Sequence, residues 1–251
     1  MRFARESFIV FRRQLRMNLR NPAWVIIGLT QPVLYLLLFG PLLEPMTAQF
    51  GAQNAYTFFV PGLLVQLGVF GAFFAGFGLI AEWREGVVEA ERVTPAGRTA
   101  LLVGRLGRDL LQILAQAIVL CALGYALGMR ASVTGLVIGV LLTVLLGAAC
   151  SAASYAVALT TKSEDVMAPI LNSVLLPVLL LSGILLPMTL GPVWLQTVSD
   201  YMPIKHVVDG VRSSFAGDLA SSSVAWGSAW AVVLTGLAVY WGTSTFRKEN
   251  A

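Results

Sequence analysis

The chain has 251 residues, 57% of them hydrophobic and only 12% charged, with a formal net charge of +4 and a mean hydropathy of +0.78. A water-soluble globule cannot bury that much apolar surface, so the composition excludes a soluble enzyme or binding module and describes an integral membrane protein.

The segment 1–22 comes first. Wound as a helix at about 100° per residue, it places Arg2, Arg5, Arg12, Arg13, Arg16 and Arg20 within a ~100° arc. Phe3, Phe8, Val10, Phe11, Leu15, Met17 and Leu19 take the rest, and only Ile9 breaks the division. Such a helix lies in the membrane interface, its arginines on anionic headgroups or a cytosolic partner; the plainer alternative is a basic topology signal without regular structure. The apolar run that follows is too long for a signal peptide and has no small-residue cleavage site before Glu44, so it counts as a first span.

Six stretches reach the ~20 residues a helical crossing needs: Trp24–Leu43, Phe58–Ala81, Leu110–Met129, Thr134–Leu159, Val166–Leu186 and Val224–Phe246. None alternates as a barrel strand would. In the second, Gly68, Ala72 and Gly76 form a small-residue stripe that predicts close helix packing, opposite Phe70, Phe73, Phe74 and Phe77. Those phenylalanines either pack or face lipid, or they line a hydrophobic route. The fourth span repeats the device with Gly135, Gly139, Thr143, Gly147 and Ser151. In the fifth, Pro169 and Pro177 bracket Asn172 and Ser173, polar groups that either border a path, with Ser182, or bond helix to helix.

Between the second and third spans lies the one long charged passage, 82–108. On a helical wheel Glu82, Glu85 and Glu89 fall within ~60°, while Trp83, Val87 and Ala90 form a separate apolar stripe. Thr94–Pro95 divides the passage into two helical pieces, since a residue before proline leaves the helical region. A solvated connector is the alternative. The segment 187–223 is too apolar for a free loop, with Ile204, Val207, Val208, Val211 and Phe215 at helical spacing, and folds back into the leaflet. Lys205 and Asp209 can pair there, and His206 is a surface residue of that helix.

All but three of the 17 basic residues (Arg130, Lys205 and Arg212) fall on one side of this arrangement, which puts both termini in the cytosol of a plasma-membrane, multi-pass protein. Topology accounts for the net charge, so no nucleic-acid partner is implied. Ionisable groups are almost absent at membrane depth, where an ion-coupled carrier needs them. No nucleophile–base pair or metal-ligand cluster is legible, and Cys121 and Cys150 lie inside spans as small hydrophobes, so no catalytic residue or metal is assigned. Energy for uphill movement has to enter from another polypeptide.

Three patterns, in order along six spans, carry a resemblance: Glu82, Gly86, Glu89, Thr94 and Pro95 in the loop; Asn172, Ser173, Pro177, Leu181, Ser182, Gly183 and Pro187; and Pro203, Val207, Val208, Asp209, Gly210 and Arg212. Together they resemble the permease subunits of type-2 ATP-binding-cassette exporters, most closely the daunorubicin-resistance type, over nearly the whole chain. The loop departs in reading Gly86-Val87-Val88-Glu89 where members often have Gly-Thr-Leu-Glu.

The resemblance implies an all-α membrane protein in one domain, 1–251: an amphipathic interfacial helix, six transmembrane helices, a cytosolic coupling helix after the second span and external re-entrant helices between the fifth and sixth. It implies an ATPase-coupling set of Glu82, Glu85, Gly86, Glu89, Arg92, Thr94 and Pro95, and an external cap including Trp194, Pro203, Asp209 and Arg212. The second and fifth spans of two protomers would enclose the path, with Phe70, Phe73, Phe74, Phe77, Asn172, Ser173 and Ser182 beside it. The chain contains no G-x-x-x-x-G-K-[ST] loop, so ATP and Mg would be bound by a separate ATPase subunit and none by this chain. The partners implied are that ATPase, a second copy or a homologous permease, membrane lipids and a small-molecule substrate. The reading is an ATP-driven multidrug efflux permease, not itself an enzyme, that moves a lipophilic or amphipathic antibiotic-like compound by alternating access. A polysaccharide or glycolipid cargo is the alternative, and outside this class stand a membrane-embedded lipid enzyme and a non-transporting anchor.

Overall fold

The computed structural model describes residues 2–20, 23–45, 54–92 and 97–249. Among the described residues the fold is all-helical and without strands. In chain order it runs α1 (Arg2–Arg20), α2 (Ala23–Leu43), α3 (Ala55–Phe73), α4 (Ala75–Arg84), α5 (Val87–Arg92), α6 (Arg98–Ala126), α7 (Val133–Thr161), α8 (Glu164–Leu181), α9 (Val193–Asp200), α10 (Pro203–Ala216) and α11 (Ser222–Glu249). Among the described residues six segments are long and apolar enough to cross a membrane: α2, α3 continued by α4, α6, α7, α8 and α11. At 1.5 Å per residue the 29 residues of α6 and of α7 extend about 43 Å. That exceeds a ~30 Å hydrocarbon layer, so both helices project beyond it.

Burial divides the spans into a centre and a periphery. In the most apolar window of each, 61% of the α3–α4 span and 56% of α7 are buried, against 17% of α2, 22% of α8 and 11% of α11. Small residues hold the centre together, because in lipid close backbone approach replaces hydrophobic driving force. A Cβ added to Gly68 would stand 3.1 Å from the Thr143 carbonyl, and one added to Gly76 would stand 2.6 Å from the Ser154 carbonyl. Gly135 and Gly139 give room instead to α10, the first meeting the Ser214 carbonyl and the second the Phe215 ring.

The second span is broken where the sequence implies a continuous helix. α3 ends at Phe73, and Phe77 N–H bonds to the Phe74 carbonyl at 3.1 Å in a tighter turn. Ser154 on α7 compensates the break: its hydroxyl donates to the Phe73 carbonyl and accepts from Gly76 N–H at 3.0 Å. A side chain inserted into the helical ladder is a recognised cause of a kink. The fifth span also differs, stopping at Leu181 rather than Leu186. Gly183 adopts φ +70°, a left-handed conformation that ends the helix, and the chain turns back toward α9.

α10 buries Val207, Val208, Val211 and Phe215 and packs on α7, α11 and α3, so the amphipathic spacing read in 204–215 is its inward face. Gly210 crosses Gly227 of α11 with room for no Cβ between them. Lys205 pairs with Asp209 at 4.0 Å, as their spacing implies, and more closely with Asp200. His206 bonds the Asp200 carbonyl at 3.1 Å and stacks on Trp230, which makes it half-buried packing.

These approaches predict an asymmetric response to the same substitution. Gly135→Ala, with its Cβ about 2.0 Å from a backbone oxygen, is expected to destabilise by about 1–3 kcal/mol. Gly71→Ala, with nothing within 4 Å, is expected to be neutral or to stabilise by up to ~1 kcal/mol through helix propensity. Thermal unfolding of the two variants in detergent checks the contrast.

Candidate functional site

The charged passage folds into a hairpin. α4 ends at Arg84, Gly86 takes φ +73°, and α5 starts at Val87. A left-handed residue between the two pieces turns one wheel into two, so the single amphipathic helix read from the sequence is corrected. Glu85, Glu89 and Ala90 are exposed, Trp83 and Val87 are half-buried, and Val88 is the buried apolar residue of the turn. The stretch 98–108 is no loop: it is the first part of α6.

Glu82 and Glu91 point inward, where Arg105 of α6 meets them both. Its Nη2 donates to Glu82 Oε2 at 2.6 Å and to Glu91 Oε2 at 2.8 Å. Arg105 is only 2% exposed. Glu82 is therefore unavailable as a surface contact, which corrects its place in the coupling set. Arg92 has its backbone in α5; Thr94 and Pro95 lie outside the described residues.

α1 closes the cluster from the side. Arg13 Nη1 reaches Glu91 Oε1 at 2.9 Å, and Gln14 Nε2 donates to Glu82 Oε1 at 2.7 Å. Gln14 also accepts from Arg108, which donates to Asp109 Oδ1 and to the Tyr155 hydroxyl of α7. Tyr155 in turn donates to Asp109 Oδ2. Glu6 accepts from Gly97 N–H at 2.9 Å, fixing the start of α6. α1 thus packs on α6 by Ser7, Val10 and Gln14, with Val10 and Phe11 seated over Gly104 and Gly107. The apolar face read from the sequence is split, since this stripe meets protein while Phe8, Met17 and Leu19 remain exposed beside the arginines. At the edge of the hairpin Arg84 pairs with Glu164 of α8 at 3.1 Å, and Lys162 lies over the Trp83 ring.

Two adjoining grooves open on the side of α3 and α4 away from α7. The first, about 300 Å³, lies between α2, α3 and α6 and includes Phe70 and Phe74. The second, about 410 Å³, continues toward the charged end past Phe77, Arg108, Asp109 and Glu164. Phe73 instead packs against the core. Asn172 and Ser173 are exposed on α8, with Ser173 donating to its own helix at Pro169, and neither lines these grooves. Ser182 is fully buried and donates to the Val178 carbonyl, so it borders no path in this conformation.

At the opposite end Trp194 is exposed and Pro203 opens α10. Arg212 donates from Nη2 to the Ile184 carbonyl at 3.1 Å, stands over the Phe58 ring and leaves Nε buried without a partner. Burial pushes its pKa down to about 10 and raises that of Asp209. Among the described residues no three His, Cys, Asp or Glu side chains converge to hold a metal.

Comparison with known proteins places this arrangement. Residues 5–216 match the family model described as ABC-2 type transporter. The chain belongs to that family. It is also similar to the "Putative transport permease ycf38" of Cyanophora paradoxa, 26% identical over 214 residues that span 84% of this chain and 74% of that protein. As an ABC-2 permease the chain is a membrane transporter subunit, and membership implies partnership with an ABC ATPase subunit.

The sequence pattern missed Gln14, Glu91, Arg105 and Tyr155 of the permease. Their signal was a polar residue interrupting an apolar face, as Gln14 does in α1 and Arg105 and Asp109 do where α6 enters the core. Removing one member of a buried ion cluster leaves its partners uncompensated, which costs about 3–5 kcal/mol. Arg105→Met is expected to destabilise by that order. Exposed Glu89→Gln should stay within ~0.5 kcal/mol, with chemical unfolding in detergent as the measurement.

Proposed function

We propose that the chain is the transmembrane subunit of an ATP-driven exporter in the plasma membrane, with the α1–α5 end and both termini in the cytosol. The observation that carries this reading is the hairpin itself: Glu85, Gly86 and Glu89 crown it, while Glu82 and Glu91 tie its base to Arg105 of α6. An exposed acidic turn on a rigid base is suited to docking in a groove of an ATPase subunit. ATP and Mg would be bound there, and nucleotide-driven closure of the ATPase pair would displace the hairpin.

Two permease copies would complete the path. α2, α8 and α11 carry broad exposed apolar faces, and alternating access would move the paired spans as rigid bodies. A lipophilic or amphipathic compound is the cargo this reading favours, since phenylalanines line both grooves and ionisable side chains line only the one nearer the hairpin. Arg92, Thr94 and Pro95 extend the docking surface in this reading, and Trp194, Pro203, Asp209 and Arg212 belong to the outward cap.

Reconstitution with the partner ABC ATPase subunit tests the docking surface. Glu85→Arg with Glu89→Arg, reversing the exposed charge, is expected to abolish substrate-stimulated ATP hydrolysis while leaving permease unfolding unchanged. Full stimulation in the double variant would remove this hairpin from the coupling interface.

A further inference from the structure

Gln66 sits near the middle of α3, 2% exposed, and its Oε1 has no hydrogen-bond partner. An orphaned acceptor at membrane depth is costly, because lipid offers no donor to satisfy it. It lines the first groove, and three further carboxamides converge there from the neighbouring helices: Gln31 of α2, and Gln112 and Gln116 one turn apart on α6. Two of these are committed to holding the walls. Gln116 donates to the Val25 carbonyl at 3.0 Å, and Gln112 accepts from Asn18 of α1 at 2.8 Å. Gln31 donates to Tyr35 at 3.3 Å and is exposed. Phe70 and Phe74 supply the apolar wall, and Gly71 between them carries no side chain to fill the opening.

We infer that this groove is a binding subsite for a neutral, hydroxylated ring, seated on Phe70 and Phe74 with one hydroxyl donated to Gln66 Oε1. The inference deepens the exporter reading and rests on it for the meaning of the site. A hydroxyl both donates and accepts, which matches a lining of carboxamides that do the same. A charged group matches poorly, because no ionisable side chain lines this groove and a desolvated charge needs a partner. Arg108, Asp109 and Glu164 line only the second groove, nearer the hairpin. A volume of about 300 Å³ is at the lower limit of small-molecule sites, enough for a single ring rather than a long glycan. The groove opens sideways beside the exposed Phe74, so an attached alkyl tail can remain in lipid.

Such a ring has two sources, a soluble glycoside or the headgroup of a glycolipid. The full chain in phosphatidylcholine nanodiscs, prepared without sugar detergents, is titrated with radiolabelled octyl glucoside below its micellar concentration. Saturable binding is expected, with octyl tetraethylene glycol, which has the same tail and no ring, competing at least about tenfold more weakly. Gln66→Leu is expected to weaken glucoside binding about tenfold while thermal stability holds or rises, since the variant removes an unsatisfied buried polar group. Phe74→Ala, on the exposed rim, should weaken it about threefold or more without unfolding. Displacement by glucosyl diacylglycerol built into the discs assigns the site to glycolipid, and its absence assigns it to soluble glycosides. No saturable binding, equal competition by the ringless ether, or undiminished affinity in both variants would overturn the assignment. A permease that binds no glucoside yet couples to its ATPase loses only this subsite; one that binds glucoside but never couples loses the exporter reading.

Discussion

One guanidinium governs the charged end of this permease. Arg105 is held between Glu82, at the end of α4, and Glu91, at the end of α5, and Arg13 and Gln14 of α1 complete the cluster. Separating buried charges exposes each to an uncompensated low-dielectric surrounding. The four helices that contribute them therefore keep their relation to one another more strongly than apolar contact alone would enforce. Arg105 Nε and Nη1 are left without partners, so its bonding is concentrated in the single nitrogen that faces both carboxylates. A short hairpin with little core of its own gains its rigidity this way.

The centre of the bundle is organised on a different principle. α3 and α7 meet through glycine and alanine at distances that exclude larger side chains, and Ser154 satisfies the carbonyl freed at the Phe73–Ala75 break. Dense packing makes such an interface resist gradual deformation, whereas the break offers one place where the second span can change its angle. α8 leans on α7 and touches α3 and α4 only lightly, and it is anchored at its ends: by Glu164 to Arg84, and through Leu181 to Ser199. Helices packed so unevenly can shift against the α3–α7 core as units, which is the kind of motion alternating access requires.

Local patterns made the six spans, the small-residue ladders and the inward face of α10 legible in the sequence. Each rests on a period of 3.6 residues or on steric size, and both act between near neighbours. The burial of Glu82 was not legible, because a wheel drawn through Gly86 assumes a helix that its positive φ interrupts. Nor was Arg105 legible: its partners lie 23 and 14 residues away, and Arg13 lies 78 from Glu91. α8 ends at Leu181 before the left-handed Gly183, and the turn beyond it is held by Ile184 meeting Arg212, a contact 28 residues apart that no local pattern shows. Among the resemblance-derived residues, Phe70, Phe74 and Phe77 reach the grooves, whereas Ser182 turns its hydroxyl onto its own helix and Asn172 faces outward.

The geometry also bears on how the two ends of the molecule communicate. Gln112 and Gln116 follow Arg105 by seven and eleven residues on the same helix, about 10 and 16 Å along its axis. α6 is unbroken over this stretch, and Arg108 and Asp109 between them are clamped by Gln14 and Tyr155. A displacement of the hairpin that preserves its ion pairs must therefore carry the carboxamide wall of the groove with it. Coupling of this kind needs no chain of side-chain rearrangements across the bundle, only a stiff helix whose one end is ion-paired to the moving turn and whose next turns line the cavity. The α3 wall, which carries Gln66 and Phe70, packs on α7 as well, through Gly68 against Thr143 ahead of the Phe73–Ala75 break. Both walls therefore meet on α7, which Gly68 and Thr143 join to α3 and Tyr155 and Asp109 join to α6, so α7 is the frame against which any change in the groove's width is measured.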